Sequence, residues 1–135
     1  PTSLFVAQFF GTSNYLPATL LQKNGNLAYV EVNGFGQLWG KPSAAVSSTE
    51  VGIVIRPERI SFSMDTKAPS GNQVSGKVLE RIFLGSQIQY RLAIGENFVI
   101  SSLQPNMGGA LYYPGDEVNA YWEAENTLIL PRITP

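Results

Sequence analysis

The apolar positions of this chain change their rhythm once, after residue 11. From Leu4 to Phe10 they are nearly continuous. Thr2 or Ser3 can cap a helix there and Gly11 suits the position just past its end, so the pattern predicts one short N-terminal helix over residues 1–11. Such a helix is apolar on most sides (Leu4, Phe5, Val6, Phe9 and Phe10) and needs partners on more than one face. Beyond Gly11 the pattern turns to short runs with a period of two. Ile60, Phe62 and Met64 alternate with Ser61 and Ser63, and Ile88, Tyr90, Leu92 and Ile94 alternate with Gln89, Arg91 and Ala93. Tyr29 to Val32 ends at Asn33-Gly34, a hairpin signal, and Gln37-Leu38-Trp39 returns. Gly52 to Arg56 reads as a buried strand stopped by Pro57. Further strands are predicted at 74–83, 98–100, 117–122 and 128–130, with loops at 42–50, 67–73 and 104–109 and a tight turn at Pro114-Gly115-Asp116.

Short strands punctuated by 13 Gly and 9 Pro predict an all-β barrel or sandwich. Gly76 and Gly85, near the ends of the long 74–83 strand, suit the sharp coiling of a small OB-like barrel. A length of 135 residues fits one ordinary domain, or two very small ones sharing a core.

Composition removes whole classes of chemistry. The chain has no Cys, so disulfides, thiolate zinc sites and Cys nucleophiles are excluded. It has no His, which removes Ser-His-Asp catalysis and imidazole metal ligands. A net charge of −1 gives no electrostatic case for nucleic acid or an anionic membrane. No apolar run is long enough to span a bilayer, and no leader pattern is visible. The chain opens at Pro1 without a Met, and it is expected to be a piece of a longer cytosolic protein.

The motifs that could carry chemistry are incomplete. Gly40-Lys41 is followed by Pro42 and Gly76-Lys77 by Val78, so neither forms a phosphate-binding P-loop. Glu117, Glu123 and Glu125 lie close in sequence and read as a solvated edge rather than a catalytic pair. No catalytic, cofactor or metal residue is assigned. The densest charge cluster is Arg56-Pro57-Glu58-Arg59, read either as a strand end where Arg56, Glu58 and Arg59 pair with each other or with backbone carbonyls, or as a docking or anion-contact point. The aromatic side chains fit core and subunit-interface roles, and Tyr112-Tyr113 beside Pro114 is a candidate contact patch.

Phe5-Val6-Ala7-Gln8-Phe9-Phe10-Gly11 with Asn14-Tyr15-Leu16-Pro17 resembles the junction of ABC-importer ATPases at which the nucleotide-binding domain meets a C-terminal regulatory domain. Val54-Ile55-Arg56-Pro57-Glu58-Arg59-Ile60 resembles that domain's RPE signature, and Gly76-Lys77-Val78 through Phe83-Leu84-Gly85-Ser86 and Gly115-Asp116-Glu117-Val118 resemble its later segments. The resemblance implies a transport-associated OB-like (TOBE) domain at 12–135, built as one small barrel or as two intertwined OB-like halves of about 12–70 and 71–135. Residues 1–11 would then be a linker helix from the missing ATPase domain. It implies Arg56, Pro57 and Glu58 as signature residues of structural or regulatory role, and no ATPase chemistry in this segment, since ATP and Mg belong to the missing domain. Implied partners are the nucleotide-binding domain, a second copy of the subunit, membrane permease subunits and a small-solute or protein regulator, at the cytoplasmic face of the inner membrane. Polyamine or ferric iron is the preferred solute. A related small domain binds molybdate, which gives the alternative of an oxyanion- or solute-sensing module, with Val74 to Val78 as its opening strand. A nucleic-acid-binding OB protein is the third alternative.

Overall fold

The computed structural model describes residues 13–33, 36–65, 71–109 and 111–133. The expected helix at 1–11 lies outside them. Among the described residues there are ten strands: β1 (Asn14–Asn24), β2 (Leu27–Val32), β3 (Gly36–Pro42), β4 (Glu50–Ile55), β5 (Ser61–Ser63), β6 (Asn72–Phe83), β7 (Gln87–Ile94), β8 (Phe98–Pro105), β9 (Glu117–Trp122) and β10 (Thr127–Pro131). Five of them close a barrel in the order β1-β2-β3-β10-β4, and the other five form a sheet in the order β5-β9-β6-β7-β8. The fold is all-β, as the turn-rich alternating sequence requires.

The two sheets repeat one plan. β1 pairs with β4 from Asn14↔Ile55 to Thr19↔Glu50, and β6 pairs with β9 from Asn72↔Trp122 to Lys77↔Glu117. Each long strand then shifts register at the same place, between Leu20 and Gln22 in β1 and between Val78 and Glu80 in β6. A bulge there turns the strand from one neighbour to the other. β4 and β9 are each followed by a three-residue 3-10 turn, Pro57–Arg59 and Ala124–Asn126. Past its turn the chain crosses over: β5 pairs with β9 and β10 pairs with β4. Each half thus gives its last strand to the other. Only the barrel closes fully, through the parallel pairing of β10 with β3 at Leu128↔Lys41 and Ile129↔Pro42. At the matching place in the sheet, the Ser102 hydroxyl donates to the carbonyl of Ile60 at 2.6 Å.

One hydrophobic cluster runs through both sheets. It joins Leu16, Val30, Ile53 and Ile129 of the barrel to Phe62, Val74, Tyr90, Leu92, Val118 and Trp122 of the sheet. The alternation read in β7 is the one built: Ile88, Tyr90, Leu92 and Ile94 are all buried. The alternation read at residues 60–64 is cut short. Ile60 and Phe62 are buried but Met64 is 61% exposed, because the ladder with β9 ends at Ser63↔Asn119. β1 was not foreseen; Pro17 and the polar stretch Gln22-Lys23-Asn24 break its apolar pattern.

Two buried asparagines fasten the halves together. Asn14, at the start of β1, accepts from Ser101 N at 2.7 Å and donates to the Ser101 carbonyl at 2.9 Å. Asn72, at the start of β6, makes the same two bonds with Trp39, each at 2.8 Å. A carboxamide presents one donor and one acceptor side by side, as a strand backbone does, and so completes a ladder where no strand is available.

Candidate functional site

The signature residues sit at the crossover from barrel to sheet. Arg56 is extended (φ −72°, ψ 137°), as the residue before a proline must be. Pro57 opens the 3-10 turn with its φ already set. The turn closes through Arg59 N to Arg56 O at 3.0 Å and Ile60 N to Pro57 O at 3.2 Å, and it delivers Ile60 into the core. The counterpart turn closes in the same way, through Asn126 N to Glu123 O at 3.0 Å. The backbone of Arg56-Pro57-Glu58 is therefore a corner that directs a strand into the other half.

The side chains of this corner point elsewhere. Arg56, Glu58 and Arg59 are exposed, and none of them forms an ion pair among the described residues, so the mutual pairing considered from sequence is not made. Arg56 and Arg59 join Lys41, Glu125 and Asn126 around an open cleft of about 430 Å³, where the two 3-10 turns approach each other. Three cations against one carboxylate give the cleft a positive balance.

Tyr112 and Tyr113 separate into two roles. Tyr112 is half-buried; its hydroxyl donates to the Phe62 carbonyl at 3.1 Å and its backbone N–H donates to the Tyr90 hydroxyl at 3.2 Å. The rings of Phe62, Tyr90 and Tyr112 meet pairwise at 5.4 to 5.6 Å, two of the three contacts edge-on. Burial, followed by the neighbouring Tyr121 and Tyr90 hydroxyls, raises the pKa of Tyr112 above the ordinary tyrosine value. Tyr113 is the exposed member, at 54%, with the Arg81 guanidinium 4.4 Å from its ring centroid.

Across β6 and β9 lies a shallow groove of about 720 Å³, whose polar lining includes Gln73, Ser75, Lys77, Glu117 and Asn119. Ser75 donates to the Asn119 side-chain oxygen at 2.7 Å. Part of the Val74 to Val78 strand thus faces a polar depression. Among the described residues no three acidic side chains come together to hold a metal ion. The Asn14 and Asn72 clasps escaped the sequence reading; the available signal was an asparagine entering each long strand.

Comparison with known proteins agrees with this architecture. The family profile described as TOBE domain matches residues 53–130, more than half of the chain. The spermidine/putrescine import ATP-binding protein PotA of Thermobifida fusca is 29% identical over 133 residues, covering 97% of this chain and 35% of that protein. PotA 2 of Pseudomonas aeruginosa, of the same description, is 30% identical over 127 residues, covering 90% of this chain and 35% of that protein. The chain spans about a third of the length of these curated relatives. A crystal structure of the cytoplasmic molybdate-binding protein ModG, with molybdate bound, superposes with a TM-score of 0.70 over 88% of this chain and 96% of that one. At 18% identity this likeness concerns the fold alone. The matched profile runs from β4, through the Arg56-Pro57-Glu58 corner and both exchanged strands, to Leu130, and the chain belongs to the TOBE domain family.

Proposed function

We propose that this chain is the C-terminal regulatory and pairing domain of the ATP-binding subunit of an ABC importer, with a polyamine as the solute. The observation that carries the reading is the pair of PotA relatives, aligned over 90% or more of this chain and described as spermidine/putrescine import ATP-binding proteins. The repeated registers support reading residues 12–135 as two intertwined OB-like halves. In this reading ATP and Mg are held by a separate nucleotide-binding domain, and the permease subunits and the membrane are reached through the full-length subunit. This chain braces the subunit pair and adjusts its activity. Calorimetric titration with Mg-ATP is expected to give no binding by this chain, and a tight stoichiometric complex would sink the reading. In the full-length subunit, deleting the segment should alter polyamine uptake and the coupling of ATP hydrolysis while nucleotide binding persists.

The β6–β9 groove favours a second reading, a module that senses an oxyanion or the solute. Saturable thermal stabilisation by molybdate, sulfate or spermidine would support it, and a flat screen would count against it.

A further inference from the structure

The two 3-10 turns are built alike but charged differently. The repeated registers equate Arg56, which follows the Asn14 partner Ile55, with Glu123, which follows the Asn72 partner Trp122. Arg59 then corresponds to Asn126, the last residue of the second turn. The two clasps equate Trp39 with Ser101, and so Lys41, two residues on, with Leu103. The second turn closes through the same backbone bond, also at 3.0 Å, with no cation at any of the three positions. The fold therefore does not require Lys41, Arg56 or Arg59 to carry charge.

The three cations are nevertheless gathered in one place. Arg59 N donates to Arg56 O, and residues three apart in such a turn lie on one side of it, so both arginines border the cleft while Glu58 does not. Lys41 arrives through the pairings Lys41↔Leu128 and Leu128↔Val54, which set these three residues on one outer face of the barrel. Val54 is buried yet stands outside the core cluster, and with Pro42 and Leu128 it gives the cleft an apolar part. The other three arginines are engaged by the fold: Arg81 donates to the Tyr112 carbonyl, Arg91 pairs with Glu80, and Arg132 donates to the Val51 carbonyl. Lys41, Arg56 and Arg59 have no ion pair among the described residues, and like charges brought together without a counter-charge repel.

We propose, independently of the transport reading above, that this cleft binds a phosphate-type dianion, either free phosphate or a compact phosphomonoester. Three cations against the Glu125 carboxylate leave a balance of two positive charges, which matches a dianion. Guanidinium forks take a tetrahedral oxyanion two oxygens at a time, and a lysine adds a point charge. The Asn126 carboxamide, which also borders the cleft, can donate to a further oxygen. A volume of about 430 Å³ lies in the lower range of small-molecule pockets and leaves room for a group beside the phosphorus, with Pro42, Val54 and Leu128 to meet it. The cleft is open and its cations are exposed, so the expected dissociation constant is weak, on the order of 1 mM. It shares no residue with the β6–β9 groove.

Amide chemical-shift titration of the full chain with phenyl phosphate and with inorganic phosphate, at constant ionic strength, tests this. Saturable shifts are expected at Arg59 and Asn126, with affinity weakened about tenfold or more by Arg56→Gln with Arg59→Gln. Glu125→Gln removes the one opposing carboxylate and should tighten binding about two- to fivefold, a gain that a damaged fold cannot produce. The amide spectrum of the double variant shows in the same experiment that it is folded. Lys77→Gln, in the β6–β9 groove, should bind as the parent does. Tighter binding of phenyl phosphate assigns a phosphomonoester as the source, and equal binding assigns the free anion; both uphold the site. Shifts that do not saturate by about 20 mM, twenty times the expected constant, overturn it. Binding that the arginine substitutions leave intact and Lys77→Gln abolishes overturns it too, and moves the anion to the groove.

Discussion

Asn72 treats Trp39 as a neighbouring strand would, accepting from its N–H and donating to its carbonyl, both at 2.8 Å. The same side chain donates to Thr127 Oγ1 at 3.2 Å, and the Trp122 indole N–H donates to that hydroxyl at 2.8 Å. The Asn72 amide therefore links β6 to β3 and β10, and the Thr127 hydroxyl extends the link to β9. Asn72→Ala leaves the N–H and carbonyl of Trp39 without these partners and is expected to cost about 2–6 kcal/mol, from one to three for each group left unmade, with the low end favoured because both bonds are only partly buried. Asn14→Ala should behave similarly at Ser101. Asp at either site loses the donor and places a carboxylate against a carbonyl, so it should be worse than Ala. Urea denaturation midpoints measure all four.

Gly76 lies inside β6, paired on one side with Ile94 and on the other with Val118. A Cβ there would meet the Ala93 carbonyl oxygen at 2.5 Å and Leu92 Cγ at 2.8 Å. The first of these is backbone and cannot swing away. Gly76→Ala is expected to destabilise by about 1–3 kcal/mol, the usual cost of overpacking, despite the better strand propensity of alanine. A melting temperature at or above that of the parent would show that the sheet relaxes around the methyl group.

Tyr112 is expected to contribute to the loss of stability at alkaline pH. Its hydroxyl is held neutral in the fold, chiefly by burial, so its folded pKa lies above the unfolded value near 10. Between the two values the native chain keeps a proton that the unfolded chain has lost. This contribution is complete below the unfolded pKa and is lost as pH rises through the folded one. Tyr112→Phe should cost about 1 kcal/mol near neutrality for the bond to Phe62 and should flatten the fall in stability above pH 10. Denaturant melts at neutral and alkaline pH give both results, and parallel curves for parent and variant would exclude this residue as the cause.

At the signature corner, backbone and side chains should respond differently to substitution. Arg56→Ala, Glu58→Ala and Arg59→Ala remove exposed side chains that have no ion pair among the described residues. Each is expected to change stability by no more than about 0.5 kcal/mol. If one of them costs several times more, the charge is holding the fold. If none does, the positive cleft with Lys41 becomes the place to look for a partner by charge reversal.

The local pattern of the sequence carried the faces of the strands but not their partners. Glu117 to Trp122 alternates cleanly and is β9 with the expected bounds. Period two tells which side of a strand is buried; it does not tell which sheet the strand joins. Leu128-Ile129-Leu130 therefore read as a strand, while its seat between β3 and β4, far back along the chain, did not. β1 was hidden because Pro17 opposes Gly52 at a position where the ladder tolerates it, and because the strand's outer half is exposed and polar. The signature corner was legible as a strand end from Pro57 alone. The clasps were not, since a buried amide with long-range backbone partners leaves no periodic trace.

The exchange of last strands also fixes when this chain can fold. The barrel begun by Asn14 is completed only by Thr127–Pro131, and β5 cannot be covered until β9 exists. Neither half is complete until the strand it borrows from the other has been made, and contacts of such sequence separation form slowly. The β1–β2–β3 and β6–β7–β8 runs can pair locally, but the two halves acquire their full stability together rather than one after the other.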